Sequence, residues 1–178
     1  MSINESIFYA LNSLAGHNVL ADSAIVFVAM SLPWAIVALV VIYFIFFHRN
    51  LLWFSATSFT TLFSLMVTDV LKWAIFRHPR PFVALPDVTQ LIYITPYDSF
   101  PSGHATAFAA IATAMFLYNK RVGVWFIFAA LLVGMARIAA GVHYPIDILT
   151  GYLIGFAVTF FAYKLWTKVS KRVTDFIS

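Results

Sequence analysis

The sequence predicts an all-α polytopic membrane bundle of about five transmembrane helices, preceded by a short amphipathic helix at the membrane interface. Three observations predict it. Of 178 residues, 62% are hydrophobic and 10% are charged, whereas a soluble domain uses about 25% charged residues to cover its wet surface. The mean hydropathy is +0.90. Apolar runs long enough to cross a bilayer, which takes about 20 residues, alternate with short polar breaks.

The length suits one compact domain over residues 1–178, and no repeat or linker divides it. There is no cysteine, which excludes disulfides, thiolate metal sites and cysteine nucleophiles. The net charge of +4 is small and scattered, so nucleic acid is not an expected partner. Met1 to Glu5 lack a basic segment before an apolar core, and no cleavable signal peptide is expected.

Residues 3–15 place Ile3, Ile7, Phe8, Leu11 and Leu14 about one helical turn apart. This pattern is an amphipathic helix too short to span, either lying in the interface or packed on the bundle. Gly16-His17-Asn18 ends it. The first span runs from about Ala24 to Phe47, with Pro33 inside it as an expected kink. After His48-Arg49-Asn50, the second runs from about Leu51 to Phe76. Residues 77–103 form the longest polar connection, rich in proline. The third span runs from about His104 to Tyr118, the fourth from about Val122 to Ala140 and the fifth from about Ile146 to Trp166. Gly151 and Gly155 form a small-residue pair suited to helix packing, within one chain or between two, so a homodimer stays open.

Arg49, Lys120, Arg121, Lys164, Lys168, Lys171 and Arg172 fall on one side of this topology. The positive-inside rule puts that side, with the C-terminal tail, in the cytoplasm. Lys72, Arg77, Arg80 and Arg137 fall on the opposite, external side, in three polar islands that also carry histidines.

The islands suit a phosphate. Pro101-Ser102-Gly103-His104 opens the third span, where the first backbone N–H groups of a helix are unpaired and favour an anion. Gly103 permits close approach, Ser102 offers a hydroxyl, and His104 stands where an imidazolium protonates a leaving oxygen. N-capping by Ser102 and an interfacial place for His104 are the plain alternatives. In the last island Pro145 suits the first position of a helix, with His143 before it and Asp147 in its first turn. That spacing lets the carboxylate fix the imidazole tautomer, leaving the other nitrogen free to attack phosphorus. Asp147 alternatively serves as a favourable charge at its helix N-terminus. Arg137 lies at membrane depth, either functional or snorkelling. Arg80, between two prolines, is extended and suited to a bidentate phosphoryl grip. Lys72 points to the same end, with Asp69 as a possible neutralising partner. No acidic cluster is present to hold two divalent metals, so the expected chemistry is metal-independent, without a cofactor.

These islands resemble the signature of the type-2 phosphatidic-acid phosphatase (PAP2) superfamily, Lys-x6-Arg-Pro, Pro-Ser-Gly-His and Ser-Arg-x5-His-x3-Asp. The second motif matches at Pro101 to His104, and Arg137, His143 and Asp147 match the third in type and spacing. The resemblance implies that His143 is the nucleophile, Asp147 its orienting partner and His104 the general acid. Lys72, Arg80, Ser102, Gly103 and Arg137 would bind phosphate. Two positions depart from the signature. Seven residues separate Lys72 from Arg80, a helical rotation of about 100° for the extra one, and Ala136 stands in place of the motif serine.

Within that superfamily the pattern is most similar to bacterial undecaprenyl-diphosphatases, which implies hydrolysis of a lipid diphosphate in the outer leaflet of the cytoplasmic membrane. Phosphatidylglycerophosphate or phosphatidate phosphatase is the runner-up, and a non-catalytic anion- or lipid-binding membrane protein is the rival outside enzymes.

Overall fold

The computed structural model describes residues 1–74 and 78–177, and side chains as far as Val169. Every regular element among the described residues is helical. Helix α1 (Ile3–Asn12) opens with a capping box in which Ser2 Oγ accepts the Glu5 N–H and Glu5 Oε2 accepts the Ser2 N–H. The helix packs on the bundle with one face, while Ile3 and Ile7 on the other stay exposed. Phe8 and Asn12 are buried, and α1 lies against the two helices that flank the last polar island.

A continuous helical rod, Val19–Phe47, follows. It comprises α2 (Val19–Val26), a π-helical turn (Phe27–Ser31), α3 (Leu32–Ile42) and a second π-helical turn (Tyr43–Phe47). The rod begins earlier than hydropathy predicts because Asn18 caps it, its side chain accepting the Leu20 N–H at 2.7 Å. Pro33 stands just after the first π turn. Having no N–H to give the Ala29 carbonyl, it cannot continue an ordinary α ladder, and the wider turn accommodates it.

Helix α4 (Leu51–Ala74) buries Thr57, Thr60, Ser64 and Thr68 along one face. Each hydroxyl donates to the carbonyl four residues back, at 2.7–3.0 Å. Self-satisfied small polar side chains let helices approach where water is absent. Thr68 then reaches across to Thr106 Oγ1 at 2.9 Å. The short α5 (Pro81–Ala84) begins the long connection, which folds back so that the Leu91 N–H bonds the Ala140 carbonyl at 3.1 Å.

Helices α6 (Gly103–Tyr118), α7 (Lys120–Ala139) and α8 (Pro145–Ile177) complete the bundle. With 16 residues, α6 is about 24 Å long, short of a bilayer core, and it is central, packed by α4, α7 and α8. Four segments are long and apolar enough to span: Val19–Phe47, Leu51–Ala74, Lys120–Ala139 and Pro145–Val169. Gly151 and Gly155 do their packing within the chain. A Cβ on Gly151 would lie 2.7 Å from the Ser102 carbonyl oxygen, and one on Gly155 would strike the Thr106 carbonyl oxygen. The backbones of α6 and α8 therefore touch.

Asn12 ties α1 to the rest. Its Nδ2 donates to Thr89 O at 2.8 Å and Ala139 O at 2.9 Å, while Oδ1 accepts the Thr89 N–H at 3.0 Å. Asn4 Oδ1 accepts the Ile146 N–H at 3.1 Å. Thus α1 braces the end of α7, the start of α8 and the connection between α5 and α6. Asn12→Ala strands buried backbone groups at a cost of about 1–3 kcal/mol each. The expected result is a melting temperature in detergent lower by on the order of 5 °C; an unchanged melt would contradict the brace.

Candidate active site

His143 and Asp147 occupy the turn from α7 into α8. Gly141 makes that turn possible: its φ is +79°, and a side chain there would meet the Thr89 carbonyl. Pro145 is the first residue of α8, as its missing N–H favours. His143 is 3% exposed and Asp147 is fully buried. Asp147 Oδ2 faces His143 Nδ1 at 3.4 Å and accepts the Tyr144 N–H at 2.8 Å. The carboxylate therefore meets both descriptions open to it, helix-terminal acceptor and histidine partner. On the far side of the ring, Arg80 Nη1 points at His143 Nε2 at 3.3 Å. A guanidinium only donates, so this contact requires an unprotonated Nε2 and places the ring proton on Nδ1, toward Asp147. Burial, reinforced by Arg137 and Arg80 and opposed by the bond to Asp147, pushes the imidazole down to about 4. His143 is neutral at pH 7.

Arg80 is the extended residue before α5, as its flanking prolines predict. Its side chain is buried and held by backbone oxygens: Nε donates to Thr95 O at 2.7 Å, Nη1 to Val142 O at 2.8 Å and Nη2 to Asp98 O at 3.4 Å. One Nη2 hydrogen remains uncommitted. Arg137 does not snorkel. It is 1% exposed, with Nη1 3.5 Å from the Ala29 carbonyl and 3.8 Å from Met30 Sδ, and its Nε has no partner among the described residues. The Ala29 carbonyl is the one that Pro33 cannot bond. Ala136, in place of the motif serine, is buried beside Ala29, Ala140 and Val142, so apolar packing fills that position.

Ser102 caps α6, its Oγ accepting the Ala105 N–H at a long 3.5 Å. Its own N–H bonds the Asp147 carbonyl at 3.1 Å, which joins the second and third motifs directly. His104, half-buried in the first turn of α6, lies within the fields of His143, Arg137, Arg80 and Lys72. The extra residue before Arg80 does not turn Lys72 away. Lys72 Nζ lies 3.7 Å from where a Cβ on Gly103 would sit, and 3.7 Å from Asp69 Oδ1. Asp69 is largely exposed, so this pair is a loose neighbour contact that leaves the ammonium at the mouth of α6.

All eight residues singled out from the sequence thus meet at one end of the bundle. Arg77 lies outside the described residues. His78 is exposed, its ring near Phe100 and Tyr144. Sequence reasoning missed Ser99, whose Oγ donates to Asp147 Oδ2 at 2.6 Å. Its only signal was a serine three residues before Ser102, in a polar segment. Among the described residues no three His, Asp or Glu side chains gather as a metal-binding group. Chemically, the cluster offers a neutral imidazole with a fixed tautomer, a second imidazole and three cations around a helix N-terminus.

A family model described as the PAP2 superfamily matches residues 53–171. The chain belongs to that superfamily. Among relatives of this PAP2 protein is the undecaprenyl-diphosphatase BcrC of Bacillus subtilis (strain 168), 32% identical over 169 residues, covering 91% of this chain and 83% of BcrC. A lipid A 1-phosphatase of Rhizobium etli is 37% identical over 107 residues, covering 58% of this chain and 46% of that one. The crystal structure of Aquifex aeolicus LpxE superposes with a TM-score of 0.73 at 28% identity, covering 92% of this chain and 96% of that one. The protein is a PAP2 membrane lipid phosphatase.

The depressed His143 has a consequence for stability. An ordinary histidine protonates near 6.5 when unfolded, and His143 does so at about 4 when folded. Between those values the unfolded chain binds the extra proton, so stability falls as pH is lowered through that window. The melting temperature in detergent is expected to drop from pH 6.5 toward 4, with a shallower drop in His143→Asn. Equal slopes in the two proteins would contradict the buried neutral imidazole.

Proposed function

We propose that this PAP2 phosphatase hydrolyses the diphosphate of a polyprenyl carrier lipid, most like undecaprenyl diphosphate, to the monophosphate and inorganic phosphate. Similarity to BcrC over 91% of this chain and 83% of that one carries the substrate assignment. The other relatives share shorter stretches or lower identity, and their substrates belong in the test.

In this reading the terminal phosphate docks at the N-terminus of α6, against the backbone beside Gly103 and the hydroxyl of Ser102. Lys72, Arg80 and Arg137 surround its oxygens, with Arg80 giving its uncommitted Nη2 hydrogen and releasing His143 Nε2. His143 Nε2 attacks phosphorus in line. The bond from phosphorus to the bridging oxygen breaks, and His104 gives that oxygen its proton. Asp147 steadies the positive charge that develops on the ring of His143. Neutral His104 then takes a proton from water, which attacks the phosphohistidine and releases phosphate. The cations supply the electrostatic stabilisation, and no metal takes part.

The site faces the external side and the C-terminus the cytoplasm, on the strength of the charges. Arg49, Lys120, Arg121 and Lys164 lie at the end of the bundle away from His143. The lipid approaches from the outer leaflet of a bacterial cytoplasmic membrane. Residues 1–178 act as one domain in this cycle.

The test is purified protein in detergent with EDTA, given undecaprenyl diphosphate, phosphatidate, phosphatidylglycerophosphate and a lipid A 1-phosphate in parallel. Phosphate release is expected to be fastest from the diphosphate, and His143→Ala to lose at least about 10³-fold. A strict need for added magnesium would overturn the metal-free cycle, and preference for a monophosphate lipid the substrate. The cycle needs His143 neutral and His104 protonated at the moment of attack. Burial and the neighbouring cations disfavour a charged His104 until the phosphate anion arrives, so kcat, which reports the bound complex, should trace a bell against pH.

A further inference from the structure

Asp147 gathers three donors on one oxygen. Ser99 Oγ donates to Oδ2 at 2.6 Å, the Tyr144 N–H at 2.8 Å and His143 Nδ1 at 3.4 Å, while Oδ1 has no partner among the described residues. The bond to the histidine is the longest of the three. Ser99 is itself fully buried, and its N–H is tied to the His78 carbonyl at 3.1 Å, so its hydroxyl is fixed in place. We infer that Ser99 is a positioning residue that acts through Asp147, holding the carboxylate back from His143 and thereby setting how firmly the imidazole keeps a proton. The inference rests on the roles proposed above for His143 and Asp147.

The physical reason is competition. A hydroxyl at this distance from a carboxylate makes a strong, charge-assisted bond. It draws on the same oxygen that steadies an imidazolium. At 3.4 Å the remaining contact to Nδ1 is at the weak end of the hydrogen-bond range. Remove the Ser99 hydroxyl and Oδ2 is free to close on Nδ1, which favours the protonated ring. An attacking histidine must be neutral before reaction and yet supported once it carries phosphorus. A carboxylate held at a distance serves both needs, since the charge that develops on the ring can draw it in. The other charged groups around the pair are Arg80 before α5, Arg137 on α7, His104 on α6 and Lys72 on α4, with Asp98 beside Arg80 and Glu5 of α1 beside Tyr144. A Ser99 variant leaves all of them in place.

The test uses full-length protein with ¹⁵N-labelled histidine in detergent, the His143 resonances being assigned with His143→Asn. Ser99→Ala is expected to raise the proton affinity of His143 by about threefold or more. The acid limb of kcat/KM moves up with it, and kcat falls about 10- to 100-fold with a smaller change in KM, as for outer-shell partners elsewhere. Ser99→Thr, which keeps the hydroxyl, restores both. Should Ser99→Ala not fold, Ser99→Cys, a weaker donor, is read the same way. A variant that melts earlier yet titrates His143 at the wild-type midpoint shows a merely structural serine and overturns the inference. If wild-type protein releases phosphate from no lipid offered, the proposed function fails, while the titration still decides the role of Ser99.

Discussion

The contact on which the rest of the structure depends is the meeting of the α6 and α8 backbones. Gly151 and Gly155 remove the side chains that would hold the helices apart, and the carbonyls of Ser102 and Thr106 lie where those side chains would be. The approach continues to the helix ends, where the Ser102 N–H bonds the Asp147 carbonyl at 3.1 Å. Two helix N-termini therefore open side by side, one presenting Ser102, Gly103 and His104, the other following His143 and carrying Asp147. Neither motif makes a site alone. Packing without water between helices depends on such close backbone approach, so one set of glycines serves both the stability of the bundle and the assembly of the cluster.

That cluster is electrostatically incomplete. Arg137 and Arg80 are buried, and no carboxylate forms an ion pair with either among the described residues. Backbone carbonyls solvate them instead: Ala29 for Arg137, and Thr95, Val142 and Asp98 for Arg80. Asp147, the nearest buried carboxylate, has its accepting oxygen occupied by Ser99 and Tyr144. Burying cations without counter-charges costs free energy. In the proposed cycle the incoming phosphoryl group offsets that cost, and more so as charge builds on its oxygens, which is how preorganised charge lowers a barrier.

The bundle was legible in the sequence because hydropathy and helix-ending residues act locally. The five apolar runs, the start of α8 at Pro145 and the four-residue pairing of His143 with Asp147 follow from spacing alone. What the sequence did not reveal depends on partners distant in the chain. Nothing near Ser99 says that its hydroxyl will find a carboxylate 48 residues away. Asn12 is a polar residue in an amphipathic stretch, and its burial follows from two backbone groups on other elements that need its amide. Pro33 was readable as a disturbance in its helix, but its connection to Arg137 through the Ala29 carbonyl appears only when α7 is packed against the first rod. The hydroxyl stripe of α4 leaves no mark on hydropathy that would show its buried face, because each member satisfies itself within its own helix.

The departure in the first motif shows which spacings matter physically. One inserted residue rotates the next by about 100° only when both ends lie on the same helix. Lys72 stands on α4, described as far as Ala74, whereas residues 78–80 are not helical and Arg80 is the extended residue before α5. No helical register links them, and Lys72 Nζ still reaches the edge of Gly103 on its long flexible stem. The other two motifs have no such freedom. Ser102 and His104 straddle the first residue of α6, and His143 and Asp147 straddle the start of α8, so an insertion in either would swing one partner to another face. Tolerance of spacing in this fold is therefore set by the element that carries each pair, strict across a helix start and loose across the connection before α5.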